Sequence, residues 1–153
     1  MLKMNFSKMT KLSLLGAVLS IVVVSTAFAR VTAAGIGRAV VAADESCFGL
    51  FDDGVVNNCA SDKFFEVPFV MDNSGSRAAT FVYNNAQANG VSCAFHVANG
   101  DGSGHLSSVS ASSAATGSGQ LTTGAVTVPG GGKAWLNCAI KPGSKLLTIA
   151  YQP

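Results

Sequence analysis

The sequence has little charge. Its 153 residues include ten Lys and Arg against eight Asp and Glu, so 12% of the chain is charged and the formal net charge is +2. Disordered chains are usually richer in charge, and nucleic-acid-binding domains carry a larger basic excess. We therefore expect one folded domain, the number that roughly 100 to 200 residues usually form, and no nucleic-acid partner.

Sequence motifs of catalysis are also missing. No G-x-S-x-G occurs, and only His96 and His105 could activate a serine nucleophile. The run GGGK at 130–133 lacks the spacing of a phosphate-binding loop. Six of the eight acids lie within residues 44–66, without a signal for the cleft across which a glycosidase holds two carboxylates. These absences predict a protein that is not an enzyme and needs no cofactor.

Metal-ligand patterns are equally scarce. No C-x-x-C is present, which argues against a zinc knuckle and a thioredoxin-type redox pair. His96 and His105 lie nine residues apart, and a hairpin between them would bring them together. No third ligand accompanies them, so we predict no metal site.

The first 29 residues resemble a secretory signal peptide. Three lysines precede an apolar run at 12–24, and Ala27-Phe28-Ala29 fits the cleavage site. Thirteen apolar residues are fewer than the ~20 that span a bilayer, so no stable membrane span is expected after cleavage. Removing residues 1–29 leaves seven basic and eight acidic residues, a net charge of −1. We predict secretion to the periplasm or the cell exterior, where such low charge favours self-association.

The four cysteines all follow this leader. An even number of cysteines in an exported chain predicts disulfides, and four allow three connectivities. The segments around Cys93 and Cys138 both alternate, with the cysteine on the more apolar face. This favours a core bridge between Cys93 and Cys138, and Cys47 with Cys59 would then close a local loop.

Short alternating or apolar runs separated by turn residues fill the remainder, with almost no helical period. About seven or eight strands are predicted, and such spacing is typical of an all-β fold, an antiparallel β-sandwich that is immunoglobulin-like or jelly-roll-like. Pro68 is expected at an edge or a bulge. The turn PGGG at 129–132 predicts a hairpin between residues 126–128 and the strand of Trp135. The other candidate strands are 54–58, 64–71, 79–85, 91–97, 105–110, 120–123 and 146–151.

Two segments fit the strand pattern less well. Residues 30–46 form an N-terminal extension or a first strand before a sandwich domain at 47–153. Within them, residues 30–43 could be donated as a strand to a neighbouring subunit. Residues 99–124 are rich in Gly, Ser, Ala and Thr, which predicts a mobile hairpin or a ligand-contacting loop.

Trp135 is the most conspicuous candidate for ligand binding. It alternates onto the face opposite Cys138, together with Asn137 and Lys141. An exposed aromatic ring can bind sugars or peptides, whereas packing under a loop would be a structural role. With His96 and His105, it completes the predicted ligand-binding residues.

Several short pieces of the chain resemble a group of small exported bacterial proteins of unknown function. The group's members resemble a disulfide-bearing β-sandwich, so the resemblance implies compartment and fold and no mechanism. The similarity spans most of residues 47–151. The pieces are GVVN at 54–57, VPF at 67–69, VSC at 91–93, NGDG at 99–102 and LNCAIKPGS at 136–144, with the ending at Tyr151.

The chain is less similar to chaperone-usher pilins, which are secreted sandwiches with a disulfide and a donated strand. Those subunits end with a penultimate aromatic residue and a Gly fourteen from the end. Here Tyr151 is third from last and Gly143 is eleventh.

Together these features predict a secreted or periplasmic, non-catalytic binding or surface-structural module with an unknown protein or glycan partner. One alternative is a self-assembling, filament-like subunit that uses residues 30–43 as donor strand. Another is a small periplasmic protein that binds a metal or inhibits an enzyme.

Overall fold

The computed structural model describes residues 30–51 and 53–151. The predicted signal peptide, residues 1–29, lies outside them and stays a prediction. No helix within 30–51 and 53–151 is both long and apolar enough to cross a membrane.

The described residues form fourteen strands and two short 3-10 helices, at Ala34–Ile36 and Ala42–Cys47. The strands are β1 Arg30–Ala33, β2 Arg38–Ala39, β3 Phe48–Phe51, β4 Gly54–Asn57, β5 Lys63–Phe69, β6 Gly75–Arg77, β7 Ala79–Asn85, β8 Val91–Ala98, β9 Leu106–Ser107, β10 Ala111–Ser112, β11 Gly117–Thr122, β12 Val126–Val128, β13 Lys133–Ile140 and β14 Lys145–Tyr151.

Two antiparallel sheets make up the fold. The first sheet has the order β11-β7-β14-β4-β3, and β1 also pairs with β14. The second sheet has the order β10-β8-β13-β5-β2, and β9 also pairs with β8. A separate pair joins β12 and β6. The sequence-based prediction of an all-β antiparallel sandwich is therefore confirmed.

The number of strands was underestimated, and one predicted hairpin is wrong. Four strands of two to four residues were missed, because they are too short to show an alternating pattern, and β1 lies in the segment that the sequence offered as an extension or a first strand. β12 pairs with β6 through Val126 and Arg77, so it does not form a hairpin with β13. The glycine turn at 129–132 instead carries the chain from this pair into the centre of the second sheet.

The core lies between the two sheets and consists of the side chains that alternate onto their inner faces. In β13, β8 and β5, every second side chain is buried, because successive residues of a strand point to opposite faces. Phe69 of the second sheet packs on Tyr151 of the first at a ring-centroid distance of 4.3 Å, and Phe65 meets Phe48 at 4.8 Å. Aromatic contacts thus join the inner faces along the length of β5.

Both disulfides follow the favoured connectivity. Cys93 and Cys138 are direct cross-strand partners on β8 and β13, and both are almost fully buried. Cys47 ends the second 3-10 helix and bridges to Cys59 in the connection after β4. The first bridge fastens the two central strands of the second sheet, and the second fastens the ends of the β3–β4 hairpin.

The N-terminal segment pairs within its own chain. Arg30–Ala33 forms β1 along β14, and Arg38–Ala39 forms β2 along β5. The segment therefore joins both sheets of one molecule and is already hydrogen-bonded there. This arrangement differs from the donor-strand alternative, which requires residues 30–43 to leave the chain's own sheets.

Pro68 lies where the sequence predicts it. It belongs to β5, which pairs with β13 along its whole length, whereas β2 covers only Phe65 and Glu66 on the other side. Beyond Glu66 β5 is an edge, so a residue without a backbone N–H is tolerated there.

Candidate ligand-binding site

The outer face of the second sheet carries the candidate site residues. On the central strand β13, Trp135 is flanked by Pro68 of β5 and His96 of β8. In the next row, Asn137 lies between Glu66 and Ala94. Because side chains two residues apart share one face, these rows form a single surface on the side opposite the core.

The structure brings together all three residues that the sequence suggested. The ring centroid of Trp135 is 5.5 Å from that of His96 and 5.5 Å from that of His105, with interplanar angles of 15° and 28°. Both imidazoles therefore lie nearly parallel to the indole. Trp135 and His96 are half-buried, and His105 is exposed.

The two histidines form a hydrogen-bonded pair. His96 Nδ1 is 3.0 Å from His105 Nε2, and one nitrogen donates while the other accepts. The ring planes differ by 20°, and the N–H bonds and lone pairs of imidazole lie in the ring plane. The pair, which we call the histidine pair, therefore presents one nearly continuous flat surface beside the indole.

A structured connection between β8 and β9 positions His105. Ser103 donates its backbone N–H and its hydroxyl to Asp101 Oδ1, and Asn99 Nδ2 donates to Ser103 Oγ. The hydrogen bonds from Ser103, that of its backbone first, lower the pKa of Asp101. This part of the glycine- and serine-rich region is therefore a defined turn that returns the chain beside His96.

Burial and charge favour the neutral form of His96. Its pKa is lowered first by desolvation and second by the charge of His105. Two positive charges at hydrogen-bond distance repel each other, so a charge on His105 disfavours the protonated form of His96.

A groove of about 760 Å³ runs beside Trp135 on the same face. We call it the tryptophan groove. Trp135 lines it, whereas His96 does not, so the indole separates the histidine pair from the groove. Its lining residues are Ile36, Gly37, Arg38, Glu66, Pro68, Phe69, Val70, Met71, Gly132, Lys133, Ala134 and Trp135.

The tryptophan groove is lined by charged side chains as well as apolar ones. Arg38 Nε donates to Glu66 Oε1 at 2.6 Å, and the Arg38 side chain is 77% exposed. Lys133 is exposed and lies two residues before Trp135 on the same face of β13. The groove thus combines an aromatic ring with hydrogen-bond donors and acceptors, as small-molecule sites usually do.

A second depression of about 300 Å³ lies next to His96, farther along β13 beside Asn137 and Ala139. It is lined by His96, Asn137 and Phe64, and Phe64 is 51% exposed. The remaining lining residues are small: Ser92, Ala94, Ser107, Ser108, Ser110 and Ala139. We call this depression the serine pocket.

The sequence did not indicate the polar partners of Trp135. Glu66 looked like one of several surface acids, and Arg38 lies in a segment with no predicted contacts. The alternation of β5 places Glu66 and Pro68 on one face, a signal that could have identified these two lining residues of the groove. Arg38 could not have been found, because only the pairing of β2 with β5 brings it there.

Metal-binding groups are sparse at this face. Among residues 30–51 and 53–151, no three side chains of His, Cys, Asp or Glu come together as a metal-binding group. The histidine pair supplies two imidazole nitrogens, and all four cysteines are in disulfides.

Comparisons with known proteins identify relatives of the fold. No family model and no curated protein matches the chain. A carbohydrate-binding module, CBM6cm-2 of lichenase 5A from Cellvibrio mixtus, solved with cellotriose, is similar at a TM-score of 0.53 and 13% identity over 81% of this chain and 96% of that one. The C-terminal CBM6 of LamC, a marine laminarinase from Zobellia galactanivorans, is similar at a TM-score of 0.56 and 13% identity, over 82% of this chain and 100% of that one. At this identity the likeness establishes the shared β-sandwich.

Proposed function

We propose that this chain is a non-catalytic glycan-binding module whose ligand occupies the tryptophan groove. The observation that carries the proposal is the position of Trp135, half-buried on the outer face of a sandwich and lining a groove with Arg38, Glu66 and Lys133. A sugar ring has an apolar face that packs on an aromatic side chain, and hydroxyls that hydrogen-bond to charged groups at its rim. The groove offers both.

The surroundings of Trp135 support this role. The histidine pair lies nearly parallel to the indole and the tryptophan groove lies on its other side, so the ring is held before a ligand arrives. A prepositioned ring loses little side-chain freedom on binding, which lowers the cost of association. The Arg38–Glu66 ion pair likewise fixes two polar groups at the groove.

The fold neighbour solved with cellotriose suggests which ligand to test first. Trp135 is the only tryptophan of the chain, so its fluorescence reports directly on the groove. We expect cellotriose or another neutral oligosaccharide to change this emission in a saturable way. Isothermal calorimetry should show Trp135→Ala weakening the binding at least tenfold, because the stacking surface is lost.

A matched control is available on the same face. Phe64 is also an exposed aromatic residue, but it lines the serine pocket instead of the tryptophan groove. We expect Phe64→Ala to leave sugar affinity within about twofold. Equal losses for Phe64→Ala and Trp135→Ala, or no heat with any oligosaccharide of a neutral and charged panel, would refute the proposal.

We also propose that the module works outside the cytoplasm. Two disulfides support this location, because disulfides persist mainly in oxidising compartments. The leader pattern predicts cleavage after Ala29. N-terminal sequencing of protein recovered from the periplasm or the culture medium is expected to begin at Arg30. Recovery of the uncleaved chain from the cytoplasm alone would contradict this.

A further inference from the structure

The histidine pair places two imidazole nitrogens side by side on the outer face of the second sheet. His96 Nδ1 and His105 Nε2 are 3.0 Å apart, and their ring planes differ by 20°. Imidazole coordinates a metal through a lone pair in its ring plane. In the hydrogen bond one nitrogen carries the proton and the two nitrogens face each other, so this proton must leave and both rings must rotate before two lone pairs converge on one ion.

The ligand set favours one metal. Two neighbouring imidazoles with water in the other positions suit tetragonal Cu(II), whereas zinc sites in proteins usually have three or four protein ligands. Cu(II) also has the highest affinity for nitrogen ligands among the divalent first-row metals.

We propose that His96 and His105 form a Cu(II) site on the outer face of the second sheet, with water in the remaining coordination positions. On binding, the proton shared between Nδ1 of His96 and Nε2 of His105 leaves this contact, and each ring is protonated at its other nitrogen. The site lies beside Trp135 and uses no residue that lines the tryptophan groove, so this proposal does not rest on the proposed sugar binding.

Titration of the purified protein with Cu(II) tests this site. Cu(II) quenches a nearby indole, and Trp135 is the only tryptophan. We expect saturable quenching at one equivalent, tighter binding of Cu(II) than of Zn(II), and an electron paramagnetic resonance signal from two imidazole nitrogens. His105→Gln is expected to weaken binding at least tenfold, because a second ligand on the same protein acts at high effective concentration.

Single and double variants decide between chelation and scattered surface binding. The chain has only two histidines, and His105 is exposed, so His105→Gln leaves the core untouched. Chelation predicts that His96→Gln and His105→Gln share one weak affinity and that the double variant binds more weakly still, because each single variant loses the pair but keeps one imidazole. Wild-type affinity in His105→Gln, or a signal from one nitrogen in the unchanged protein, would overturn the site. Loss of cellotriose binding alone would leave it standing.

Discussion

Removal of the Cys93–Cys138 disulfide is expected to lower the free energy of unfolding by about 4 kcal/mol. The bridge closes a loop of 45 residues in sequence separation, and the entropy that such a loop removes from the unfolded chain corresponds to about this value. Single domains are stable by only about 5 to 15 kcal/mol. We therefore expect the Cys93→Ala/Cys138→Ala variant to unfold at a much lower denaturant concentration, as followed by circular dichroism in urea.

The second disulfide provides a matched comparison. Cys47 and Cys59 are separated by 12 residues, which corresponds to about 3 kcal/mol on the same loop-entropy scale. Cys47→Ala/Cys59→Ala should therefore lose less stability than Cys93→Ala/Cys138→Ala. Alanine is used at both sites so that the two variants match, because serine would place a hydroxyl in the dry core at Cys93 and Cys138. The reverse order of the two losses would show that loop entropy does not govern the stabilisation.

The alternation of apolar and polar residues along β8 and β13 predicted most of the features that the sequence could reveal. A two-residue period assigns each side chain to a face without knowledge of the partner strands. It placed Cys93 and Cys138 inward, and it placed Trp135 and His96 together on the outer face. The same signal could not give the tryptophan groove, because a groove also depends on the residues that neighbouring strands contribute.

Long-range pairing is what the sequence did not reveal. The turn at 129–132 favours a local hairpin, yet β12 pairs with β6, about 50 residues earlier in the chain. Local turn preferences say nothing about a partner at that distance, since its selection depends on the packing of the whole sandwich. For the same reason β2 was missed: two residues carry no period, and only contact with β5 makes them a strand.

Asn57 shows a further limit of the sequence, because its role depends on three separate chain segments. It lies at the end of β4, is fully buried, and precedes another asparagine, so in sequence it resembles a turn residue. Its Nδ2 donates to the carbonyl oxygens of Ile140 at 2.7 Å and Ser61 at 2.9 Å, and its Oδ1 accepts from the backbone N–H of Cys59. One side chain thus ties the first sheet to the end of β13.

Asn57→Ala is expected to lower the free energy of unfolding by about 3 kcal/mol. The change leaves the carbonyl of Ile140 and the N–H of Cys59 without their partner, and each unpaired buried group costs about 1 to 3 kcal/mol. The neighbouring Asn58 is exposed and serves as the control. We expect Asn58→Ala to stay within about 0.5 kcal/mol of the unchanged protein in the same urea titration.

Asn57→Asp separates the hydrogen bonds from side-chain volume. The new carboxylate keeps the acceptor for Cys59 but directs a second oxygen at the carbonyls of Ile140 and Ser61, which must repel it. At neutral pH we expect a loss of about 4 kcal/mol, larger than for alanine, because the charge is buried without a partner. Burial raises the pKa of this carboxyl above its unfolded value of about 3.9, so the folded state binds more protons and the deficit shrinks as pH falls toward 4. A variant as stable as the unchanged protein at pH 7 would contradict the assigned orientation of the Asn57 amide.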